Sequence, residues 1–319
     1  MRNRKFIKNS LQHTYQRSID KGVVFYSTED YLVLFTLCCT YSKVYKIGIL
    51  GICIMLNHIH YLLESNSKKD MSDFIQVVTS VFVKMYNQNI LRKGSLFTPL
   101  YGSSSKYGNK KIRTIIAYLY NNPVEKNICS KADEYRWSFL AYANNKFPFS
   151  EKIRKNQMSK RLRDLLKIVD ERQSKNQALT YSLLNRYMPL LNKKEKSYLI
   201  DYVISTYSCI NYSKLISYYG SFEKLKIAIN SNTGSEYEIK EDFDNFSDKY
   251  AKELIKLTNE SGFFKYSKRN FPELPKDELE KLVLHLSKSK ANIIQISRFL
   301  HISSTHIASI IKQSHSKKL

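Results

Sequence analysis

Residues 47–65 read IGILGICIMLNHIHYLLES, and this stretch decides the fold of the N-terminal part of the chain. The run at 47–55 is continuously apolar, which is typical of a buried strand, and a second strand resumes at 58–65 after a two-residue break. Side chains two residues apart on a strand project from the same face, so His58 and His60 point to one place. Two such imidazoles are half of a site for a divalent metal, or else a pair of hydrogen-bonded, partly buried histidines. The pattern alone leaves both interpretations open.

Strand and helix signals alternate around this pair of strands, which predicts an α+β unit with helices on one face of a sheet. Pro123 ends the last predicted helix, because the residue before a proline is pushed out of the α region. The predicted elements are strands at 12–19 and 23–27, a helix capped by Thr28 that runs to about Tyr45, an amphipathic helix from Ser72 and Asp73 to about Asn89, a loop from Gly94 to Gly108, and a helix from Lys110 to Asn122.

The pattern changes at about residue 151, where strand signals become rare and helical periods dominate. We predict three domains: an N-terminal unit at 1–150, a helical linker or accessory region at 151–270 that contains an acidic segment from Glu236 to Asp248, and a C-terminal unit at 271–319. The C-terminal unit is predicted to form three helices, at 277–288, 293–300 and 304–313, with a tight turn between the last two. That spacing is typical of a helix-turn-helix, although a plain helical packing module has the same pattern.

The charge of the chain indicates its partners. The 319 residues include 52 Lys and Arg against 28 Asp and Glu, a net charge of +24, which favours a polyphosphate such as DNA. A Lys-rich soluble protein with no nucleic-acid partner is the alternative.

The five cysteines form no C-x-x-C pair, which argues against a disulfide scaffold and a cysteine zinc site and suits a reducing compartment. The basic start, MRNRKFIKNS, runs into no apolar segment, and no uncharged stretch is long enough to span a bilayer, so we expect a cytoplasmic protein with no membrane partner.

Several segments together resemble one family. ICIMLNHIHYLLES (52–65), FVKMYNQNILRKGSLF (82–97) and AYLYNNPVEKNICSKADEYRWSF (117–139) are similar, in this order, to the signatures of HUH single-tyrosine transposases. The resemblance is strongest to REP-associated tyrosine transposases and their insertion-sequence relatives, and the opening HTYQRSIDKGVVFYSTED (13–30) extends it. Two positions depart from the family: Leu56 replaces a proline, and an arginine expected near 98–101 has no counterpart, which removes one expected contact with the DNA backbone.

The resemblance implies a ferredoxin-like antiparallel sheet, a catalytic tyrosine at Tyr118, and a divalent metal, Mg²⁺ or Mn²⁺, held by His58, His60 and Asn122. Tyr118 and Asn122 are four residues apart and therefore share one face of a helix, whereas Tyr120 points to the other side. Without the resemblance, Tyr118 is an ordinary core residue of an amphipathic helix, and Asn122 an ordinary helix-ending residue.

The expected partner is single-stranded DNA beside a hairpin or palindromic repeat. We predict that aromatic side chains at Phe97, Tyr101 and Tyr107 line the path of the strand together with basic ones. The predicted DNA-binding residues are Arg17, Lys106, Lys110, Lys111 and Arg113 in the N-terminal unit, and Ser304, Thr305, His306 and Lys312 in the C-terminal unit.

The predicted activity is cleavage and rejoining of DNA through a 5′-phosphotyrosine, in the bacterial cytoplasm and at the nucleoid. Two alternatives from other classes stay open. A regulator with the same fold would bind DNA without cleaving it, and a metal-dependent nuclease would use water and leave no covalent adduct. The sequence also leaves open whether the chain acts as a monomer or a homodimer.

Overall fold

The computed structural model describes residues 6–8, 10–231, 248–260, 271 and 274–316. Its N-terminal unit contains one four-stranded sheet in the order β2-β3-β1-β4, and every neighbouring pair is antiparallel. The chain order β1-α1-β2-β3-α2-β4 is that of a ferredoxin-like fold, which confirms the predicted class. The elements are β1 (Leu11–Arg17), α1 (Thr28–Val44), β2 (Gly48–Ile54), β3 (His58–Glu64), α2 (Lys68–Asn89), β4 (Gly102–Lys106) and α3 (Asn109–Glu125).

The two faces of the sheet are covered by different helices. Ile59, Tyr61 and Leu63 of β3 share a core with α1 and α2. Leu62 projects from the opposite face into a second core, which α3 covers. The expectation of helices on one face therefore holds for α1 and α2, whereas α3 lies on the other face, beside His58 and His60.

Local chemistry explains where several elements differ from the sequence-based expectations. Ser27, rather than Thr28, caps α1, because Asp30 accepts hydrogen bonds from the backbone nitrogen of Ser27 and completes a capping box. Helix α2 begins at Lys68, since the Ser67 hydroxyl caps it.

Two further differences concern a strand and a helix end. Residues 23–27 form no strand, because the backbone nitrogens of Val24 and Phe25 both donate to one carbonyl, that of Leu56, instead of to a ladder. Helix α3 does not stop before Pro123 but continues to Glu125, so the proline lies inside its last turn.

Five helices follow in the middle region, which the sequence predicted to be helical. The first three share the core of α1, so this region packs on the N-terminal unit. Asp201 is fully buried and joins the two parts, since its carboxylate accepts hydrogen bonds from the Tyr142 hydroxyl at 2.6 Å and the Ser150 hydroxyl at 2.8 Å. The helices are α4 (Lys160–Ser174), α5 (Tyr181–Tyr187), α6 (Lys193–Tyr207), α7 (Tyr212–Ser217) and α8 (Phe222–Asn230).

The C-terminal part contains α9 (Asp248–Glu260), α10 (Lys276–Leu286), α11 (Ile293–Leu300) and α12 (Ser304–Ser316). The last three, α10 to α12, lie where the sequence predicted helices. Phe299, Ile307 and Ile310 are in their core as expected. Their assignment as a helix-turn-helix stays a prediction, as do the three domain boundaries. The predicted acidic segment lies outside the described residues except for Asp248. Within the described ranges, each helix is too short or too polar to cross a membrane.

Candidate metal centre and nucleophile

Strand β3 places two imidazoles side by side on the face that α3 covers. The ring centroids of His58 and His60 are 4.8 Å apart, with the rings almost perpendicular at 86°. His60 is completely buried, whereas His58 is half-buried. Burial lowers the pKa of His60 to about 3, and the positive charges of Arg17 and Lys126 act in the same direction. His60 is therefore neutral at neutral pH and keeps a lone pair for a metal or a hydrogen bond.

Helix α3 brings Tyr118 and Asn122 to the same place. The ring of Tyr118 meets the ring of His60 edge-on, with centroids 5.8 Å apart and an interplanar angle of 90°. The side-chain nitrogen of Asn122 lies 3.3 Å from Nε2 of His60. Both side chains are almost wholly buried. One chain therefore brings together all four residues that the sequence predicted for the catalytic and metal-binding positions, because His58 lies beside His60.

Tyr120 points away from this cluster, as its helical position predicted. Its hydroxyl donates to the carbonyl of Leu50 in β2 at 3.2 Å, and its ring is fully buried in the core under α3. Burial raises the pKa of the Tyr120 phenol well above its ordinary value. Tyr120 is thus part of the packing between α3 and the sheet.

Sequence reasoning missed one member of the cluster, His13. This residue lies on β1, is 1% exposed, and its Nε2 is 3.1 Å from Nδ1 of His60. The two rings are stacked, at an angle of 12° with centroids 5.3 Å apart. Strand alternation puts His13 on the same face as Tyr15, but the register that pairs β1 with β3 is not visible in the local sequence.

The residues present fit a divalent cation. Nε2 of His60 accepts from Asn122 and so carries a lone pair, and Oδ1 of Asn122 is buried with no hydrogen-bond partner among the described residues. A buried acceptor without a donor is costly, which a metal ion would relieve. No group of three His, Cys, Asp or Glu side chains in the described ranges is arranged to hold a metal. The atoms that would hold a cation here are imidazole nitrogens of His58 and His60 and the amide oxygen of Asn122.

Comparisons with known proteins agree with this geometry. Residues 13–122 match the family model described as transposase, IS200-like. This part of the chain, the IS200-like domain, is similar to that family. A transposase acts on DNA, and the match begins at His13 and ends at Asn122, two residues of the cluster. Residues 123–319 lie outside the match.

Two other comparisons add little to the family assignment. The solved structure of a REP-associated tyrosine transposase bound to a REP hairpin is similar at 14% identity and a TM-score of 0.40, over 45% of this chain and 84% of that one. No curated protein matches the chain.

The predicted DNA-binding residues of the IS200-like domain divide into two groups. Arg17 ends β1 opposite His58, and its guanidinium lies over the ring of Tyr15 at 5.1 Å, so it borders the histidine cluster. The others lie along β4 and the start of α3, where Lys110, Lys111 and Arg113 are exposed. The ammonium of Lys111 lies over the exposed ring of Tyr107, and the guanidinium of Arg113 lies over Tyr219, in the turn before α8. Lys106 is half-buried at the end of β4.

The predicted aromatic lining is only partly accessible. Phe97 is 4% exposed and packs against Phe25 and Phe82, so its predicted role on the strand path is wrong. The ring of Phe97 belongs instead to the hydrophobic core that the sheet shares with α1 and α2. Tyr101 is half-buried, with its hydroxyl 2.7 Å from that of Ser72, and Tyr107 remains exposed.

The predicted DNA-binding residues of the C-terminal unit lie on one helix. Ser304, Thr305, His306 and Lys312 are all exposed on α12. The turn before α12 contacts the IS200-like domain, since a Cβ added at Gly22 would overlap the ring of His301. This contact places the turn between α11 and α12 against the loop that follows β1.

Proposed function

We propose that the chain is a metal-dependent HUH transposase that cleaves and rejoins hairpin-associated single-stranded DNA through a 5′-phosphotyrosine on Tyr118. The observation that supports this most directly is the meeting of Tyr118, His60 and Asn122 on one face of the sheet. Two of the motifs that resemble the family contribute these residues: His60 comes from 52–65, and Tyr118 and Asn122 come from 117–139. A place in the cytoplasm, at the nucleoid, belongs to the same proposal.

The proposed step is an in-line substitution at phosphorus. The phenolic oxygen of Tyr118 forms a bond to phosphorus while the bond from phosphorus to the 3′ oxygen breaks, which leaves a free 3′-OH and a 5′-phosphotyrosine. The phenolic proton is lost and the departing 3′ oxygen gains one, so protons balance. The new phosphodiester keeps the bond type of the old one, so rejoining to another 3′-OH needs no nucleotide cofactor.

The residues around Tyr118 position the reactants. The edge-on contacts with the imidazoles of His13 and His60 hold the phenol at a fixed place beside the ligands. His58, His60 and Asn122 would hold the cation, and these ligands are uncharged, so they cancel none of its charge. A bound Mg²⁺ or Mn²⁺ supplies Lewis-acid stabilisation of the phosphate oxygens.

The decisive test is a denaturing gel of the full chain with a labelled single-stranded hairpin oligonucleotide and Mn²⁺. The wild-type protein is expected to form a covalent adduct that survives denaturation, and Tyr118→Phe is expected to form none. Tyr120→Phe is the matched control, because it removes the same hydroxyl from the same helix on the side that faces the core. We expect it to retain the adduct.

Each alternative has its own result in this assay. Cleavage of the oligonucleotide without any adduct would identify a nuclease that uses water. Binding with neither cleavage nor adduct would identify a DNA-binding regulator. An adduct that persists in Tyr118→Phe would assign the nucleophile to another tyrosine.

A further inference from the structure

His13 contacts the ring of Tyr118 but takes no part in the bond changes of the proposed step. It lies on β1, next to β3, and contributes a second buried imidazole directly behind His60. The contact joins Nε2 of His13 to Nδ1 of His60 at 3.1 Å, and the rings lie nearly parallel. A buried histidine pair with this geometry needs one donor and one acceptor, because two lone pairs or two N–H groups would repel each other.

The neighbouring amide decides which nitrogen donates. The side-chain nitrogen of Asn122, which only donates, is 3.3 Å from Nε2 of His60. Nε2 of His60 is therefore the acceptor, and in a neutral imidazole the proton must then be on Nδ1. That proton points at Nε2 of His13, which accepts it. With the amide nitrogen of Asn122 facing His60, these contacts lead to this assignment of protons.

We propose that His13 is a positioning residue for His60: its Nε2 accepts the Nδ1 proton of His60, and this keeps the Nε2 lone pair of His60 directed at the metal position. The inference rests on the proposed metal-dependent function. Ligating histidines commonly donate their second N–H to a carboxylate, a carbonyl or water, and losing that partner typically lowers metal affinity by about 10–100-fold. Here a histidine takes this place, and its ring also contacts Tyr118 edge-on, at 5.7 Å between centroids.

The first test measures the protons directly. The metal-free, full-length chain is labelled with ¹⁵N-histidine, and long-range ¹H–¹⁵N NMR reports which ring nitrogen of each histidine is protonated. The His60 signals are assigned by their absence in His60→Gln. The proposal expects His60 with the proton on Nδ1, and a proton on Nε2 would overturn it.

The second test measures Mn²⁺ binding in the absence of DNA, by electron paramagnetic resonance of the free ion. His13→Phe keeps a ring but removes the acceptor, and we expect its affinity for Mn²⁺ to fall about 10–100-fold. His13→Gln restores an acceptor at about the reach of Nε2, and we expect it to recover most of the loss. The control is Thr14→Val, at the buried residue that follows His13 on β1. The Thr14 hydroxyl has no hydrogen-bond partner among the described residues, so its removal breaks no such contact. This variant should bind as tightly as wild type.

The outcomes separate the inference from the function on which it rests. A wild-type chain that binds no Mn²⁺ would contradict the proposed metal-dependent function, whatever the proton on His60. Wild-type binding with equal affinity in His13→Phe would overturn the positioning role alone, as would His13→Gln that binds no better than His13→Phe. If His13→Phe does not fold, the NMR measurement on wild type and the affinity of His13→Gln decide the question.

Discussion

Burial determines the chemical state of His60 and therefore what the cluster can do. A solvent-exposed imidazole is partly protonated near neutral pH, and a protonated ring donates from both nitrogens and binds no metal. The low pKa of His60 keeps its ring neutral, and hydrogen bonds to His13 and Asn122 use both of its nitrogens. His58 differs, since Nδ1 contacts the side-chain oxygen of Asn57 at 2.6 Å and the ring is only half-buried. One histidine is fixed by the core and the other by the loop before β3.

Substitution of His58 tests the metal site with a smaller risk to folding than substitution of His60, because His58 is less buried. The variant is His58→Ala. Loss of a residue that only supports a metal ligand typically costs about 10–100-fold in activity. His58 is proposed as a ligand itself, so we expect the rate of metal-dependent cleavage to fall by more than that. Hairpin affinity should remain, because contacts between basic residues and phosphates supply it. The measurements are cleavage rate with Mn²⁺ and binding by fluorescence anisotropy.

The matched control is His285→Ala, which removes a half-buried imidazole from α10 in the C-terminal part. It should change neither cleavage nor Mn²⁺ dependence. Equal loss of cleavage in both variants, or loss of hairpin binding in His58→Ala, would contradict the role of His58 as a ligand.

Sequence periodicity predicted the parts of the cluster that lie within one element. His58 and His60 are two apart on a strand, and Tyr118 and Asn122 are four apart on a helix, so local geometry places each pair. The meeting of the two pairs followed only from the resemblance to a family. His13 was missed because its partner lies 47 residues away, and their contact depends on the register of two strands.

At the scale of elements, β4 shows why a strand can be invisible in its sequence. It reads GSSSK and has neither β-branched nor aromatic residues, so propensity predicts a loop. It is a strand because it pairs with β1, where Gly102 stands opposite Tyr15. A Cβ at Gly102 would overlap the ring of Tyr15, so only glycine admits this ring against the edge of the sheet. Tertiary contact, rather than local preference, makes this strand.

Gly102→Ala is expected to destabilise the protein and to disturb the cluster. The added methyl group overlaps Tyr15, and overpacking of this kind typically costs about 1–3 kcal/mol. Tyr15 lies 6.3 Å from His60 between ring centroids, so its displacement should also weaken Mn²⁺ binding. The free energy of unfolding in urea and the Mn²⁺ affinity measure the two effects. Ser103→Ala, the next residue of β4, adds no atom at Cβ and should leave both unchanged. Equal stability of Gly102→Ala and wild type would show that the edge of the sheet tolerates a side chain.

For the whole molecule, the C-terminal helices are held by a contact that spans almost the full sequence. The hydroxyl of Tyr26 donates to the carbonyl of Phe299 at 3.0 Å, and its ring packs edge-on against Phe271 and Phe299. The sequence predicted the three helices from their periodicity but gave no sign of this docking, because Tyr26 is one aromatic residue among many. The docking therefore ties α11 to the segment between β1 and α1.

Tyr26→Phe tests this docking. The change leaves the ring and removes the donor, so the buried carbonyl of Phe299 loses its side-chain partner at a cost of about 1–3 kcal/mol. Amide hydrogen exchange should therefore become faster in α11 and α12 than in the sheet. Tyr61→Phe makes the same chemical change at a fully buried site under α1 and should leave the exchange of α11 and α12 as in wild type. Unchanged exchange in Tyr26→Phe would mean that packing of the rings alone holds the unit.

The net charge of +24 is distributed over the whole chain, so charge alone does not say where DNA lies. Position can be tested through salt dependence, because each phosphate of single-stranded DNA neutralised by a basic residue contributes a slope of about −0.7 to log K against log salt. Lys110 and Lys111 are exposed at the start of α3, and replacing both with Ala should weaken hairpin affinity and reduce the slope by about 1.4. Lys193→Ala with Lys194→Ala lowers the net charge by the same amount, to +22, at the exposed start of α6. We expect this control to retain the wild-type slope. Fluorescence anisotropy of a labelled hairpin over a series of KCl concentrations measures all three proteins. The same small loss of slope in both double variants would mean that the field of the whole chain, rather than a path along α3, attracts the DNA.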